Sequence, residues 1–304
     1  MFIRQLSYVV ALARERHFAR AAETCHVSQP TLSAGIQHLE KELGVSIVKR
    51  AQRFEGFTTE GERVLAWAQR ILADWDGLRT DVRSMRGQPA GELRCGAIPT
   101  ALPVVSLLTG PCRTEYPGIT PVILSLPSAE IIRQLETFEL DVGITYLDGT
   151  DRAQLIELPL YRERYVLLVR DAAALRGRRT IAWAEAAELP LCLLTPNMQN
   201  RGIVDAAFQA AGTTPVIAVE TDTLLGMYAH VLFSDLAGVM PHSLLALFPR
   251  EHGLQVLDLE PSLHKQVGLL VLRRDPRAPL VEAFMQVVRQ LDTQARMDKL
   301  IRAY

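Results

Sequence analysis

The chain has little of what marks the more specialised protein classes. Only four of its 304 residues are cysteine (Cys25, Cys95, Cys112 and Cys192). None stands in a Cys-x-x-Cys pair, and the seven histidines are scattered without metal-ligand spacing. That argues against a disulfide scaffold or a zinc site, and for reduced thiols packed in a core. No apolar run reaches the ~18 residues of a membrane span. Met1-Phe2-Ile3-Arg4 lacks the basic region and long apolar segment of a signal peptide. The expectation is a soluble cytoplasmic protein with no membrane partner. An excess of one charge is missing too: 33 Lys/Arg stand against 34 Asp/Glu, a net charge of −1, which excludes a protein that coats nucleic acid over its whole surface. There is no Gly-x-Ser-x-Gly, His-Glu-x-x-His, Walker lysine loop or Gly-x-Gly-x-x-Gly. Nothing nominates an enzyme or a cofactor.

What is present is ordinary globular material, 48% hydrophobic and 22% charged. At ~100–200 residues per domain the length suggests two or three domains. Charge is distributed unevenly. Residues 1–90 hold 13 Lys/Arg against 10 Asp/Glu, and the rest of the chain 20 against 24. That allows an N-terminal part that meets DNA and a C-terminal part that does not.

The first sixty residues read as short helices. Ile3, Leu6, Tyr8, Val9, Val10 and Leu12 recur at helical spacing, and Ala19 to Glu23 forms a compact small-residue helix after His17-Phe18. Cys25-His26-Val27-Ser28 is a tight connection. Ser28 is a good N-cap, and Pro30 is tolerated in a first turn. Leu32, Ile36, Leu39 and Leu43 then face inward before Gly44 stops the helix. A small helix, a short turn and a capped second helix make a helix-turn-helix signal. Val45 to Val48 and Phe57-Thr58, with Lys49, Arg50 and Arg53 between them, read as a basic wing.

From Thr59 to Gly87 the chain predicts one long helix. Val64, Ala68, Ile71, Trp75, Leu78, Val82 and Met85 follow at alternating spacings of 4 and 3, a heptad seam that implies a second copy. The competing reading is a helix lying on its own domain. Gly87 to Gly91 then works as a hinge. Beyond it, strands at Leu93–Ile98, Val122–Leu126, Asp141–Tyr146, Tyr165–Val169, Leu191–Leu194, Val216–Glu220 and Gln266–Leu272 alternate with helices. These begin at Pro99-Thr100 and run over Ser128–Phe138, Ile203–Ala211 and Pro279–Leu300. Alternation of this kind indicates α/β units with mostly parallel sheets.

Ala21-Ala22-Glu23-x-x-x-Val27-Ser28-Gln29-Pro30-Thr31-Leu32-Ser33, followed by Ile36, Leu39-Glu40, Leu43-Gly44 and Arg50, resembles the LysR-type transcriptional regulators. The likeness continues through Arg53 and Phe57-Thr58-Thr59-Glu60-Gly61. It extends to Leu140-Asp141-Val142-Gly143-Ile144 and Gly238-Val239-Met240-Pro241. Three departures stand out. Ile47-Val48 replaces a common Leu-Phe, Ala34 takes a position often held by arginine, and Ser234-Asp235-Leu236-Ala237-Gly238 replaces a more glycine-rich turn.

The resemblance implies a winged helix-turn-helix over 1–58, a linker and dimerisation helix over 59–87, and an α/β effector-binding domain over 91–304. That domain has the periplasmic-binding-protein type of fold with two subdomains, one of 91–162 and 268–304 and the other of 163–267. It also implies an activator that works as a dimer, assembling as a homotetramer, on promoter DNA with RNA polymerase as partner.

Physical arguments place the DNA contacts at Ser28, Gln29, Pro30, Thr31 and Ser33. These lie at the helix end that enters a major groove, where Gln can bond adenine bidentately. His38 is either a phosphate contact or a solvated residue, and Arg50 and Arg53 can reach phosphate or a narrow minor groove. Carried over from the family, the effector cleft would be lined by Thr100, Ala101, Ser128, Thr145, Asn200, Arg201 and Thr221. Helix N-termini and an arginine suit a small anionic metabolite. Against that, Thr100 and Ser128 can be simple caps, and Arg201 a surface ion pair. Cys25 takes a packing position, with redox sensing as the alternative. Two competitors remain: a cytosolic small-molecule receptor with weak or lost DNA binding, favoured by Ala34, and an enzyme built on the α/β domain.

Overall fold

The computed structural model describes residues 3–49, 54–85, 87–148, 153–170, 175–247 and 253–302. Two compact units emerge, one of Met1–Gly87 with Thr137–Glu139 and the other of Gln88–Glu136 with Leu140–Tyr304.

In the first unit, α1 (Ile3–Glu15), α2 (Phe18–Thr24) and α3 (Gln29–Leu43) pack around Leu6, Val9, Leu12, Ala21, Leu32, Ile36 and Leu39. Ala21 and Ala22 are fully or almost fully buried, because small side chains let the helices approach. The Ser28 side chain caps α3 by accepting from Thr31 N, and Gly44 closes it in the left-handed conformation, φ 69°. The wing is a narrow pairing in which Val48 bridges Phe57 and Lys49 N donates to Gly56 O at 3.1 Å. Its tip, with Arg50 and Arg53, lies outside the described residues.

The long helix α4 runs over Thr59–Ser84, capped by Thr58, which accepts from Gly61 N at 2.9 Å. The expected heptad seam is divided. Its first half lies on the helix's own domain, with Ala68 fully buried and Val64 and Ile71 half-buried against that core. Its second half is open: Trp75 is 41% exposed, Leu78 53%, Val82 50% and Met85 78%. The reading of a helix lying on its own domain holds for the first half, and the second half of the seam is left uncovered in the single chain.

The second unit is a mixed ten-stranded sheet. Along its main path the order is β2-β1-β3-β10-β4-β8-β6-β7, with β5 and β9 branching from β4. The strands are β1 (Gly91–Ala97), β2 (Ile119–Ser125), β3 (Val142–Tyr146), β4 (Leu155–Arg170), β5 (Thr180–Ala182), β6 (Leu191–Leu194), β7 (Ile217–Thr221), β8 (Ala237–Pro241), β9 (Leu254–Glu260) and β10 (His264–Leu272). The pairs β1–β2, β1–β3, β6–β7, β6–β8 and β5–β9 are parallel, as the βα alternation predicts. In contrast, β4 and β10 run antiparallel to their neighbours.

The helices are α5 (Leu102–Glu115), α6 (Ser128–Glu136), α7 (Trp183–Ala187), α8 (Gln199–Ala210), α9 (Leu224–Phe233), α10 (Pro279–Gln290) and α11 (Thr293–Arg302). The single helix expected over Pro279–Leu300 breaks at Leu291, which is extended. Asp292 then accepts from Ala295 N and restarts it. The sequence pattern concealed this cap inside an unbroken apolar period.

The larger correction concerns β4. The expected strand began at Tyr165, but it starts ten residues earlier. Leu155–Arg164 ladder with β10, and Tyr165–Arg170 with β8 and β9. Pro159 is tolerated beside the bulge at Val267/Gly268. The two largest cores lie on either side of this crossing. One is built on Leu93, Val104, Ile131, Ile144, Leu269 and Phe284. The other is built on Leu167, Trp183, Leu193, Phe208, Val239 and Leu257. The second unit is therefore two lobes joined where β4 passes from one to the other. A third core, around Val166, Met227 and Met240, lies in the second lobe.

Candidate functional site

The first candidate is the exposed start of α3. Ser28, Gln29, Pro30 and Thr31 are exposed, and Ser33 half-buried. The Ser28 hydroxyl meets Thr31 Oγ1 at 2.8 Å besides capping the helix, so the pair stiffens the turn that presents Gln29. His38 is exposed, yet its Nδ1 bonds Gln5 Nε2 of α1 at 3.0 Å, leaving its other nitrogen outward. A residue that sequence reasoning gave no role, Glu40, holds the wing. Its Oε1 accepts from the amides of Ile47 at 2.7 Å and Val48 at 3.1 Å. That is the physical content of the Leu39-Glu40 pairing.

The second candidate lies between the lobes. Thr100, on the 3-10 turn that opens α5, has its hydroxyl 3.3 Å from Tyr146 Oη at the end of β3. Tyr146 Oη lies 3.0 Å from Tyr165 Oη on β4, and Asn200 Nδ2 of α8 donates to Tyr165 Oη at 3.0 Å. From the turn after β8, Ser243 donates to Thr100 O at 3.3 Å. Every one of these side chains is buried. Burial holds the Tyr146 and Tyr165 phenols neutral, pushing both pKa values up. Glu163 adjoins the same cluster, fully buried, with neither oxygen in a hydrogen bond of regular geometry. Among the described residues bonded into this network none is cationic.

The seven residues expected to line one cleft are placed in separate groups. Thr100 and Asn200 are linked through the two tyrosines. Ser128 accepts from Thr145 Oγ1 at 2.7 Å, and strand alternation turns Thr145 to the face opposite Tyr146. Ala101 is core. Arg201 is buried, but its guanidinium is engaged: Nη1 donates to Leu194 O at 2.7 Å and Glu220 at 2.6 Å, and Nε to Asp205 at 2.8 Å. Two half-exposed carboxylates neutralise it, so Arg201 is the buried end of ion pairs that reach the surface. Thr221 serves a turn, accepting from Thr223 N at 3.3 Å.

Sequence reasoning missed Tyr146, Tyr165, Glu163 and Ser243. A single signal existed: in Tyr161-Arg162-Glu163-Arg164-Tyr165 strand alternation puts the one acid on the same face as the two tyrosines, with the arginines on the other.

His242 is buried and accepts from Arg164 N at 3.1 Å, and burial brings its pKa down to about 4. None of the four thiols is activated. Burial raises the pKa of Cys25, Cys112 and Cys192, and pushes Cys95 up to about 12. Among the described residues no group of three or more potential metal-binding side chains comes together, and no helix is long and apolar enough to cross a membrane.

Comparison with known proteins agrees with this architecture. Residues 3–62 match the model of the bacterial regulatory helix-turn-helix protein, lysR family, and residues 86–292 that of the LysR substrate binding domain. The chain is 30% identical over 306 residues to a hydrogen peroxide-inducible genes activator of Escherichia coli O6:H1, covering 98% of this chain and 96% of that one. It is 32% identical over 304 residues to the SDS degradation transcriptional activation protein of a Pseudomonas species, covering 97% of each. A full-length OxyR structure from Pseudomonas aeruginosa, 28% identical, superposes with a TM-score of 0.77 over 97% of both chains.

Proposed function

This chain belongs to the LysR family of DNA-binding transcriptional regulators, and we propose that it is an activator whose DNA binding is changed by a small molecule held between the two lobes of its effector domain. In this reading Ser28, Gln29, Pro30, Thr31 and Ser33 face the major groove. His38, Arg50 and Arg53 meet the flanking backbone. The observation that carries it is the capped and exposed start of α3, with Gln29 projecting from a turn that Ser28 and Thr31 hold.

Two apolar surfaces support self-association. The open half of α4 (Trp75, Leu78, Val82 and Met85) suits a dimer. Exposed Ile123 on the edge strand β2 and Ile217 on the edge strand β7 offer a second contact, as a tetramer requires. RNA polymerase is the expected further partner, the cytoplasm the expected compartment, and the role is binding rather than catalysis.

A small-molecule effector fits better than peroxide sensing through cysteine. Thiolate is the reactive species, and all four thiols here are held protonated. Two lobes joined by a buried hydrogen-bond chain give an effector something to shift, provided that it binds one arrangement better.

The test is fluorescence anisotropy of the full chain on promoter fragments across a salt series. Steep salt dependence with a strong preference for one sequence is expected. Weak binding indifferent to sequence would favour a receptor that has lost its DNA role.

A further inference from the structure

Glu163 sits on β4 where the strand passes between lobes, and its carboxyl is the one acid in the molecule's described interior that is fully buried. Neither oxygen makes a hydrogen bond of regular geometry. The hydroxyls of Tyr146 and Ser243 face it, and the Tyr161 and Tyr165 phenols are near enough to feel its charge. Tyr161 Oη is itself unpartnered. The flanking Arg162 is exposed, on the opposite face of the strand, and two other cations are engaged elsewhere. Arg164 pairs with Asp258 and gives its amide to His242, and Arg201 pairs with Asp205 and Glu220. An ionised carboxylate in such a place carries a heavy desolvation penalty. The group therefore keeps its proton, and burial pushes its pKa up to about 8.

A buried acid of this kind lacks a hydrogen-bonding cation. The anionic effector expected from the sequence has the opposite difficulty, since Arg201 is already neutralised. We propose that Glu163 sets the charge class of the effector: the site between the lobes takes a small molecule carrying a protonated amine or guanidine, which Glu163 receives as a carboxylate. The inference rests on placing the effector site between the lobes. On binding, Glu163 releases its proton to solvent and the ligand's N–H groups donate to its two oxygens, with no covalent bond made or broken. Because Tyr146 and Tyr165 are bonded to each other beside the carboxyl, a ligand seated on Glu163 competes with that bond. That couples occupancy to the relation between the lobes.

The test is calorimetry of the full chain at pH 7 with ethanolamine, putrescine and agmatine, beside acetate, succinate and inorganic phosphate. Each titration is run in two buffers of different protonation enthalpy. Saturable binding of an amine or guanidine is expected, with release of close to one proton and affinity rising about tenfold per pH unit until about pH 8. Glu163→Gln should weaken it at least tenfold. The proton count needs no variant, so the test survives a poorly folding one. Binding of an oxyanion alone, absence of amine binding, binding without proton release, or amine affinity unchanged in Glu163→Gln would each overturn the proposal. Promoter binding by the wild-type chain is measured separately. Its loss would sink the regulator reading, whereas a failed amine titration beside intact DNA binding sinks only the role of Glu163.

Discussion

The phenol oxygens of Tyr146 and Tyr165 lie 3.0 Å apart and join the two lobes of the effector unit. Tyr146 closes β3 in one lobe, and Tyr165 is the first residue of β4 to pair with β8 in the other. Each passes the bond on, Tyr146 to Thr100 and Tyr165 to Asn200. The lobes are therefore linked by buried polar contacts besides the strand that crosses between them.

Tyr165→Phe removes the central oxygen and leaves Asn200 Nδ2 and Tyr146 Oη each short of a buried partner. A loss of ~1–3 kcal/mol in stability is expected, with the effector response moved to a different concentration. Denaturant unfolding and ligand-dependent promoter binding check the two halves; an unchanged unfolding midpoint would show that the bond contributes nothing.

The pH dependence of stability has a defined sign. Glu163 holds its proton to about pH 8 when folded, against an ordinary glutamate value of 4.5. Between these values the unfolded chain loses a proton that the folded chain keeps, so stability falls as pH rises, by ~1 kcal/mol per unit, and levels above pH 8. Glu163→Gln removes that slope. The variant should therefore gain on the wild type steadily from pH 5 to pH 8 in thermal unfolding, and parallel curves would refute it.

Glu40→Ala takes the acceptor away from two wing amides at once. Hydrogen bonds to a charged group contribute ~1.5–3 kcal/mol, so the DNA-binding unit should lose about that much stability and bind DNA less well. Glu40→Gln, which keeps an acceptor oxygen, should lose less. Equal behaviour of the two variants in unfolding would remove the bonds from the account.

At Gly61 a Cβ would stand 2.0 Å from the carbonyl oxygen of Ile47. Backbone lies on both sides and neither can yield cheaply. Gly61→Ala should cost ~2 kcal/mol or more, tilting α4 away from the wing. A thermal shift within experimental error would mean that the contact relaxes at no cost.

Leu78→Asp places a charge in the open half of the α4 seam, where no residue of its own domain covers it. Self-association should weaken with the monomer fold intact, as read by analytical ultracentrifugation beside circular dichroism. The same substitution at Ala68 should unfold the DNA-binding unit instead, because that position is fully buried.

Much of the DNA-reading end was legible because its signals are local. Ser28, Pro30 and Gly44 start and stop α3 through backbone groups within a few residues, and each acts as its residue type predicts. The α/β alternation was legible for the same reason. The α4 seam was legible as a pattern, but its partner was not. Period alone cannot say whether an apolar face meets its own domain or a second chain, and here it meets its own domain for half its length. The arginine expected to hold an anion shows a further limit. Arg201 sits near the expected place, yet Asp205, one turn along α8, and Glu220, on a strand nineteen positions away, neutralise it.

By itself the sequence determined the helix-turn-helix, its caps, the long helix and the alternating second domain. Each depends on side chains acting on backbone within a turn or a strand of themselves. The tertiary structure alone decided the interlobe cluster. Thr100, Tyr146, Tyr165, Asn200 and Ser243 span 143 positions of chain and meet only because β4 continues from one lobe into the other. Burial then does what no sequence pattern can show: it keeps the Glu163 carboxyl protonated and leaves it without a hydrogen bond of regular geometry at the crossing.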